Sequence, residues 1–566
     1  MQEKVAKRGL FVASPEGVGA GFDFTDPGSG LAGYYLPIGH VAAALILSLI
    51  FVILNATPLW HTDLWAHIRF GENILQSHAF PEGEPFTQFG DKSAGQFVGP
   101  WLSQVAYAET YQIGAALGHS DSLGGLLGGA DAIRFLHACL VTARFAFLYW
   151  AFLRLTRSSA LSAIGIAVVL AMSVGNIAIA RPQAFGETIL AALLVALSRP
   201  VLSVRGVVSV TILMVLWANF HGSYPVGFMV MGGLAIGRVL SVWWHSGNFL
   251  ADASVRRLLI MLATSLVAVA LLNPEGPRIF LTTIQMGQNP NVLAMDEWQP
   301  IISQRAIGAQ IIFTACLLLV TITLFLYRSW LGADAWVLLL IFGTSAALHQ
   351  RGLIWFIPLT VWIIMPYWGA VLDKWRPSAW DSVPSLRKTM VVAAMAVLAI
   401  GLSAPVRLLT SKPLDWNHAF SDGTPWQLAL ELQDPSRDPK SKLAQQVRAT
   451  YPNGAFTGTI FPTEVLGDFF VFETPNIPVY IYSHVHLFTP EHWQHYRQVL
   501  DGAENWRAVL DAAHVNLIIV TAENNESLRT RIGNDKRWLV LFDEAGDPAK
   551  RDPRCRLFAA IRRKPL

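Results

Sequence analysis

Long apolar runs separated by short polar connections fill the chain from Pro37 to Val406, and after Leu414 the pattern changes to short apolar strips between charged and Pro/Gly-rich stretches. A helix of about twenty apolar residues matches the hydrocarbon thickness of a bilayer. Eleven spans are predicted: Gly39 to Leu59, Ala132 to Leu153, Ala160 to Ala180, Gln183 to Ser198, Val207 to Asn219, Tyr224 to Trp243, Leu258 to Leu272, Ile307 to Leu326, Ala335 to Leu348, Leu353 to Leu372 and Val391 to Ala404. The expected fold is mainly α: a polytopic transmembrane helix bundle with a C-terminal α/β domain. The expected divisions are an N-terminal tail over 1–36, a transmembrane body over 37–410 with its first external loop at about 60–130, and a soluble domain over 411–566. In that domain the segments 455–461, 477–483, 515–523, 537–544 and 555–563 read as strands, with helices over 489–513 and 525–534.

Composition agrees with a membrane protein. Over 566 residues, 53% are hydrophobic and 14% charged, against roughly 25% charged in an ordinary soluble domain. A net charge of +3 with no basic patch gives no case for nucleic acid. Cys139, Cys316 and Cys555 are too far apart in sequence and setting for a disulfide framework or a cysteine zinc site. No small-residue cleavage site follows the first apolar run, so that run reads as a retained span.

Charge supplies an orientation. Cytoplasmic connections are enriched in Lys and Arg near span ends. With the N-terminus inside, Arg154, Arg157, Arg199, Arg205, Arg238, Arg256, Arg257, Arg328, Lys374, Arg376, Arg387 and Lys388 all fall on the inner side, and the C-terminal domain falls outside. The outer side then receives Asp63, His67, Glu84, Arg181, His221, Asn273, Glu275, Glu297, His349, Gln350 and Arg351, at or next to span ends. Ionisable groups at membrane depth are costly and point to function; the alternative for each is an arginine snorkelling to the interface or a satisfied, packed histidine.

The segment after the first span, "TDLWAHIRFGENILQS", has helical spacing and reads as an amphipathic interfacial helix with Thr62 as its N-cap and Asp63 in its first turn. Asp63 and His67, four apart, share a face. Such a pair suits a general base, and equally a divalent-metal site for Mg²⁺ or Mn²⁺ with Glu84 as third ligand; a capping acid on a sealing helix is the structural alternative. In the C-terminal domain, His484, His486, His492 and His495 have a spacing compatible with a metal, against the commoner case of solvated histidines.

Asp63, Trp65, His67, Gly71 and Ile74, then Pro81, Glu84, Phe86 and Thr87, then Trp101, Leu102 and Gln104 form an ordered set. With "WANFHGSYPVG", "NPEGPRIF", "EWQP" and "QRG" further on, it resembles bacterial multi-spanning proteins of the GT-C glycosyltransferase superfamily, relatives of dolichyl-phosphate-mannose mannosyltransferases and the aminoarabinose transferase. Glu84, where relatives more often have aspartate, and Pro100, where an acid is common, depart from the pattern. The resemblance implies sugar transfer from a polyprenyl-phosphate donor to an extracytoplasmic acceptor, with an acidic residue of the first external loop as the key catalytic group. That role falls on Asp63, with His67 orienting it. Trp65, Arg181, His221, Glu297 and Arg351 are the substrate-binding candidates, the arginines because a guanidinium fork matches phosphate oxygens. The implied partners are a lipid-linked sugar, membrane lipids and an acceptor the sequence does not name, and the implied location is the bacterial inner membrane. Two other classes compete: a GT-C-shaped scaffold without chemistry, and a secondary transporter, which would hold its ionisable groups at the midplane.

Overall fold

The computed structural model describes residues 24–26, 28–60, 62–92, 95, 98–118, 122–199, 203–303, 306–327, 331–375, 383–410, 414, 416–523, 525–547 and 555–566. Of the sequence expectations, residues 1–23 of the N-terminal tail, Arg328, Arg376 and the side chain of Lys374 lie outside the described residues.

Every predicted span is a helix. The body opens with α1 (Ile38–Ala56), α2 (Leu64–Ser77) and α3 (Trp101–Leu117). Next come α4 (Ser122–Thr156), α5 (Ser159–Ile177), α6 (Gln183–Leu197), α7 (Val204–Phe220), α8 (Pro225–Ser246) and α9 (Ala253–Leu272). After the short connectors α10 (Arg278–Gln288) and α11 (Pro290–Leu293), the body ends with α12 (Ile307–Tyr327), α13 (Ala333–Leu348), α14 (Leu353–Trp375) and α15 (Leu386–Gly401). Among the described residues, seven helices are long and apolar enough to cross a membrane, and α6, α7 and α13 are shorter apolar helices. The protein is an integral membrane protein. Its helices start where their sequences satisfy free N–H groups: Ser158 accepts from Leu161, Ser203 from Gly206, and Asp252 from Ser254 and Val255.

Because consecutive spans alternate in direction, the α1, α7, α9 and α13 C-termini and the α6, α8 and α14 N-termini share one end of the bundle. At the other end Leu36 pairs with Ser385, joining the entries to α1 and α15. From α15 the chain enters α16 (Ala404–Leu409) and α17 (Trp416–Ala419). Arg407 of α16 donates to Asp131 Oδ1 at 3.0 Å and to the Asn55 carbonyl at 2.7 Å, and Arg134 donates to the Ala419 carbonyl at 3.1 Å. Leu59, at the exit of the first span, bridges to Phe420 in parallel.

The C-terminal domain contains α18 (Trp426–Gln433), α19 (Lys442–Thr450), β1 (Thr459–Pro462), α20 (Glu464–Glu473), α21 (Pro490–Leu500), α22 (Trp506–Ala512), β2 (Val515–Thr521), α23 (Glu526–Gly533), β3 (Trp538–Asp543) and β4 (Leu557–Arg562). The sheet order is β1-β2-β4-β3, with β1 parallel to β2 and the other pairings antiparallel. The predicted strand over 477–483 is not one: it makes a single bridge, Ile460 to Val479, and then runs against the loop between α2 and α3, where the Tyr482 hydroxyl donates to Glu84.

Helix α2, expected as an amphipathic interfacial helix, is enclosed by protein on both sides. Leu64, Trp65, Ala66, Ile68 and Phe70 are fully buried, because α3 packs on one side of the helix and α20 on the other. Trp65 meets Phe469, Phe472 and Phe420 with ring centroids 5.1, 5.2 and 5.8 Å away, and its indole donates to the Trp60 carbonyl at 3.0 Å. It is a packing anchor for the C-terminal domain and stands outside the ionic site. A Cβ on Gly71 would fall on the Gln104 carbonyl, so this glycine sets how closely α2 and α3 approach.

Candidate functional site

The ion-bearing ends of several helices meet beneath the C-terminal domain. Asp63 is itself the residue preceding α2; Thr62 does not cap the helix, its hydroxyl donating instead to the Ala180 carbonyl at 3.4 Å. Asp63 makes no capping hydrogen bond, so its carboxylate is available to other partners. Arg181, in the turn between α5 and α6, donates from Nε to Asp63 Oδ1 at 2.9 Å. Its Nη1 reaches Glu297 Oε2 at 3.5 Å. Glu297 lies on a single turn, Asp296–Trp298, ahead of α12, and its other oxygen accepts from Arg351 Nη1. Arg351, just before α14, stands over the Trp298 ring at 5.6 Å and donates from Nη2 to Gln183 Oε1 at 3.3 Å.

The chain of contacts goes on into the bundle. Gln183 Nε2 donates to Glu187 Oε1 at 2.8 Å, and the other Glu187 oxygen pairs with Arg144 of α4. Arg144 and Glu187 thus form a buried pair between α4 and α6, the arrangement a charge at this depth requires.

On the other side of Asp63, His67 Nε2 lies 4.0 Å from Oδ2, and His67 Nδ1 lies 3.2 Å from Gln104 Nε2. An amide nitrogen only donates, so Nδ1 accepts and the neutral ring carries its proton on Nε2, facing the carboxylate. Trp101 and Gln104 of α3 therefore have distinct tasks, since the Trp101 indole donates to Asn219 at 2.8 Å at the end of α7. His221 pairs with the Ser223 hydroxyl at 2.7 Å, which also accepts from the Trp217 indole at 3.0 Å.

Burial and charge set the protonation states. Burial pushes Asp63 up, but Arg181 and His67 more than offset this and bring it down to about 2. For Glu297, too, burial is opposed by Arg351 and Arg181, and its pKa falls below the ordinary value. The paired Asp63 raises Arg181. Burial lowers His67 to about 4 despite Asp63, and lowers His221 to about 3 with help from Arg351. At neutral pH the site holds two carboxylates, two guanidiniums and two neutral imidazoles. Asp63 and Arg181 keep 18% and 28% of their side chains exposed.

Of the sequence candidates, Asp63, His67, Arg181, His221, Glu297 and Arg351 come together. Glu84 does not. It accepts from the Phe86 and Thr87 amides and from the Tyr482 hydroxyl, a clasp between the α2–α3 loop and the C-terminal domain. The three-ligand set Asp63, His67 and Glu84 is therefore not assembled, and among the described residues no three His, Cys, Asp or Glu side chains are grouped to hold a metal ion. The histidines of the C-terminal domain are neither grouped that way nor all solvated: His484 is buried, and His492 pairs with the Tyr480 carbonyl at 2.9 Å and stacks on Phe89.

Residues that sequence reasoning gave no part at the site also stand here. Asp468 of α20 is fully buried within electrostatic reach of Asp63 and Arg181. His484 packs its ring on His67, and Gln183 joins Arg351 to Glu187. A buried acid inside the otherwise apolar "GDFFVF" was the one available signal for Asp468.

No family model matches the chain, and no curated protein matches it in sequence. Among solved structures, the chain is similar to ArnT from Cupriavidus metallidurans in two crystal structures. With the apo form the TM-score is 0.49 at 12% identity, and with the form bound to undecaprenyl phosphate it is 0.44 at 13% identity; each alignment covers 94% of this chain and 98% of that one.

Proposed function

We propose that the protein is a membrane glycosyltransferase that moves a sugar from a polyprenyl-phosphate donor to an acceptor on the extracytoplasmic side. The observation that carries this reading is the alternating chain Asp63, Arg181, Glu297, Arg351, assembled from four separate segments at one end of the bundle. The donor class comes from the motif resemblance, and the outward orientation from the distribution of basic residues.

In the proposed reaction Asp63 takes the proton of the acceptor hydroxyl while the acceptor oxygen bonds to the anomeric carbon. The bond from that carbon to the phosphate oxygen breaks, and its electron pair leaves with the lipid phosphate. Arg351 and Arg181 bind the departing phosphate, for which guanidinium geometry is suited. A carboxylate held at about 2 is a weak base. Phosphate arriving at the arginines competes for the guanidinium that depresses Asp63, so donor binding itself raises the basicity of Asp63. His67, fixed by Gln104, keeps its N–H toward the carboxylate and orients it.

A second reading has an observation in its favour: Asp63, Arg181, Glu297 and Arg351 are already paired with one another, as in a scaffold that uses ions to hold helix ends. The two separate in one experiment. Purified protein in lipid nanodiscs is given a labelled polyprenyl-phosphate sugar, and wild type is compared with Asp63→Asn and Arg351→Ala. The enzyme reading expects Asp63→Asn to lose at least a hundredfold in turnover, within the range of general-base contributions, with its thermal transition retained. Parental turnover by Asp63→Asn would remove the assigned base, and no turnover by wild type favours the scaffold.

A further inference from the structure

The first external loop and the C-terminal domain meet at residues the reaction scheme above does not use. His484, in the segment that crosses from the sheet, presents its ring to His67 with centroids 4.6 Å apart at 67°, an edge-to-face contact. The same ring lies 4.9 Å from Phe70 and 5.4 Å from Tyr482. Asp468, one residue before the Phe469 that packs on Trp65, is fully buried and accepts from the Ser483 hydroxyl at 2.7 Å and the Ser483 amide at 3.3 Å. Ser483 and His484 are consecutive, so one peptide unit joins the carboxyl near Arg181 to the ring on His67. A Cβ on Gly467 would fall on the Ile481 carbonyl, so α20 and this segment are locked at contact distance.

We propose that the C-terminal domain supplies the outer wall of the reaction site, with Asp468 and His484 as positioning residues that hold the His67–Asp63 pair. This rests on the function proposed above. His67 is thereby gripped from two sides, by Gln104 of the membrane body through its Nδ1 and by the His484 ring of the C-terminal domain. The base is set only when both parts are docked. An acceptor must then reach Asp63 through the part of its side chain, 18%, that stays exposed.

The test uses the full-length protein in nanodiscs with two readouts. Diethyl pyrocarbonate labelling of His67, read by mass spectrometry, reports the grip on the ring without any turnover. Sugar transfer reports kcat and donor KM. His484→Ala and Asp468→Ala are expected to raise His67 labelling about tenfold and to lower kcat about tenfold to a hundredfold, the size of loss that a misplaced catalytic group produces, with donor KM within about twofold. Asp468→Asn, which keeps the shape and a polar partner for Ser483, is expected to keep His67 protected. Parental labelling of His67 in both alanine variants would overturn the proposal. Should either alanine variant fail to fold, Ser483→Ala, which removes only the hydroxyl holding Asp468, carries the same expectation and the same overturning result. A wild type that transfers no sugar sinks the proposed function, and labelling alone then decides the positioning claim.

Discussion

Arg181 sits between two carboxylates, and that position gives it a measurable signature. Asp63 owes its depression from 3.8 to about 2 mainly to this one guanidinium working against burial. A depressed carboxylate is ionised above its folded pKa and is lost as a base when pH falls through it. With Arg181 present, the acid limb of kcat/KM assigned to Asp63 therefore lies near pH 2, below the range where the chain is expected to stay folded, and the profile is flat in that group from about pH 5 upward. In Arg181→Ala the main depressing charge is gone while burial remains, so the limb moves up from about 2 into an observable range. A pH–rate profile of that variant still flat down to pH 4 would contradict the assignment. Glu297 has a different task at the same scale. It is the common acceptor for both arginines, and charge-assisted hydrogen bonds contribute about 1.5–3 kcal/mol each. Because these groups keep more than a quarter of their surface in solvent, the net effect of Glu297→Gln on the thermal transition is expected at the lower end, about 1–2 kcal/mol.

At the scale of elements, α2 shows what periodicity gives and what it omits. Its stripes were legible, and so were Asp63 and His67 sharing one side. Burial of the helix was not, because α20 lies some four hundred positions further along and no local pattern announces it. The segment 477–483 failed for the complementary reason. Its alternating Val479, Ile481 and Tyr480, Tyr482 read as a strand, yet Tyr480, Tyr482 and His484 turn to Phe89, Glu84 and His67 of α2 and the loop after it. The eleven spans, by contrast, depended only on length and apolarity, and all are present as helices. Gly71 is the element-scale test. Gly71→Ala places a methyl on the Gln104 carbonyl, and forcing bulk into a packed contact costs about 1–3 kcal/mol. Since Gln104 orients His67, the substitution is expected to lower both the unfolding midpoint and kcat; a variant with a lowered midpoint and parental kcat would separate helix packing from His67 placement.

For the whole molecule, the decisive feature is that the C-terminal domain and the segment spanning α2 and the loop before α3 share one hydrophobic core, running from Trp65 and Phe70 through Phe420 and Phe469 to the sheet. Glu84 reports on that union. Burial raises its carboxyl to about 7 while the Tyr482 hydroxyl and the Phe86 and Thr87 amides pull it down. A raised acid is protonated in the docked state and ionised in the separated one over the interval between, so docking is strongest below about 4.5 and weakens as pH rises through about 7. The neighbouring His67 and His492, held down to about 4, and His486, down to about 3, act in the opposite sense, losing stability as pH falls below 6.5. The net curve therefore mixes both, and the Glu84 part is isolated by difference. Subtracting the unfolding midpoints of Glu84→Gln from those of wild type between pH 5 and 8 is expected to leave a contribution that declines steadily with pH, followed by tryptophan fluorescence of the docked core. A difference that is flat, or that rises with pH, would mean that Glu84 is ionised in the docked state and that its contact with Tyr482 is a charged clasp.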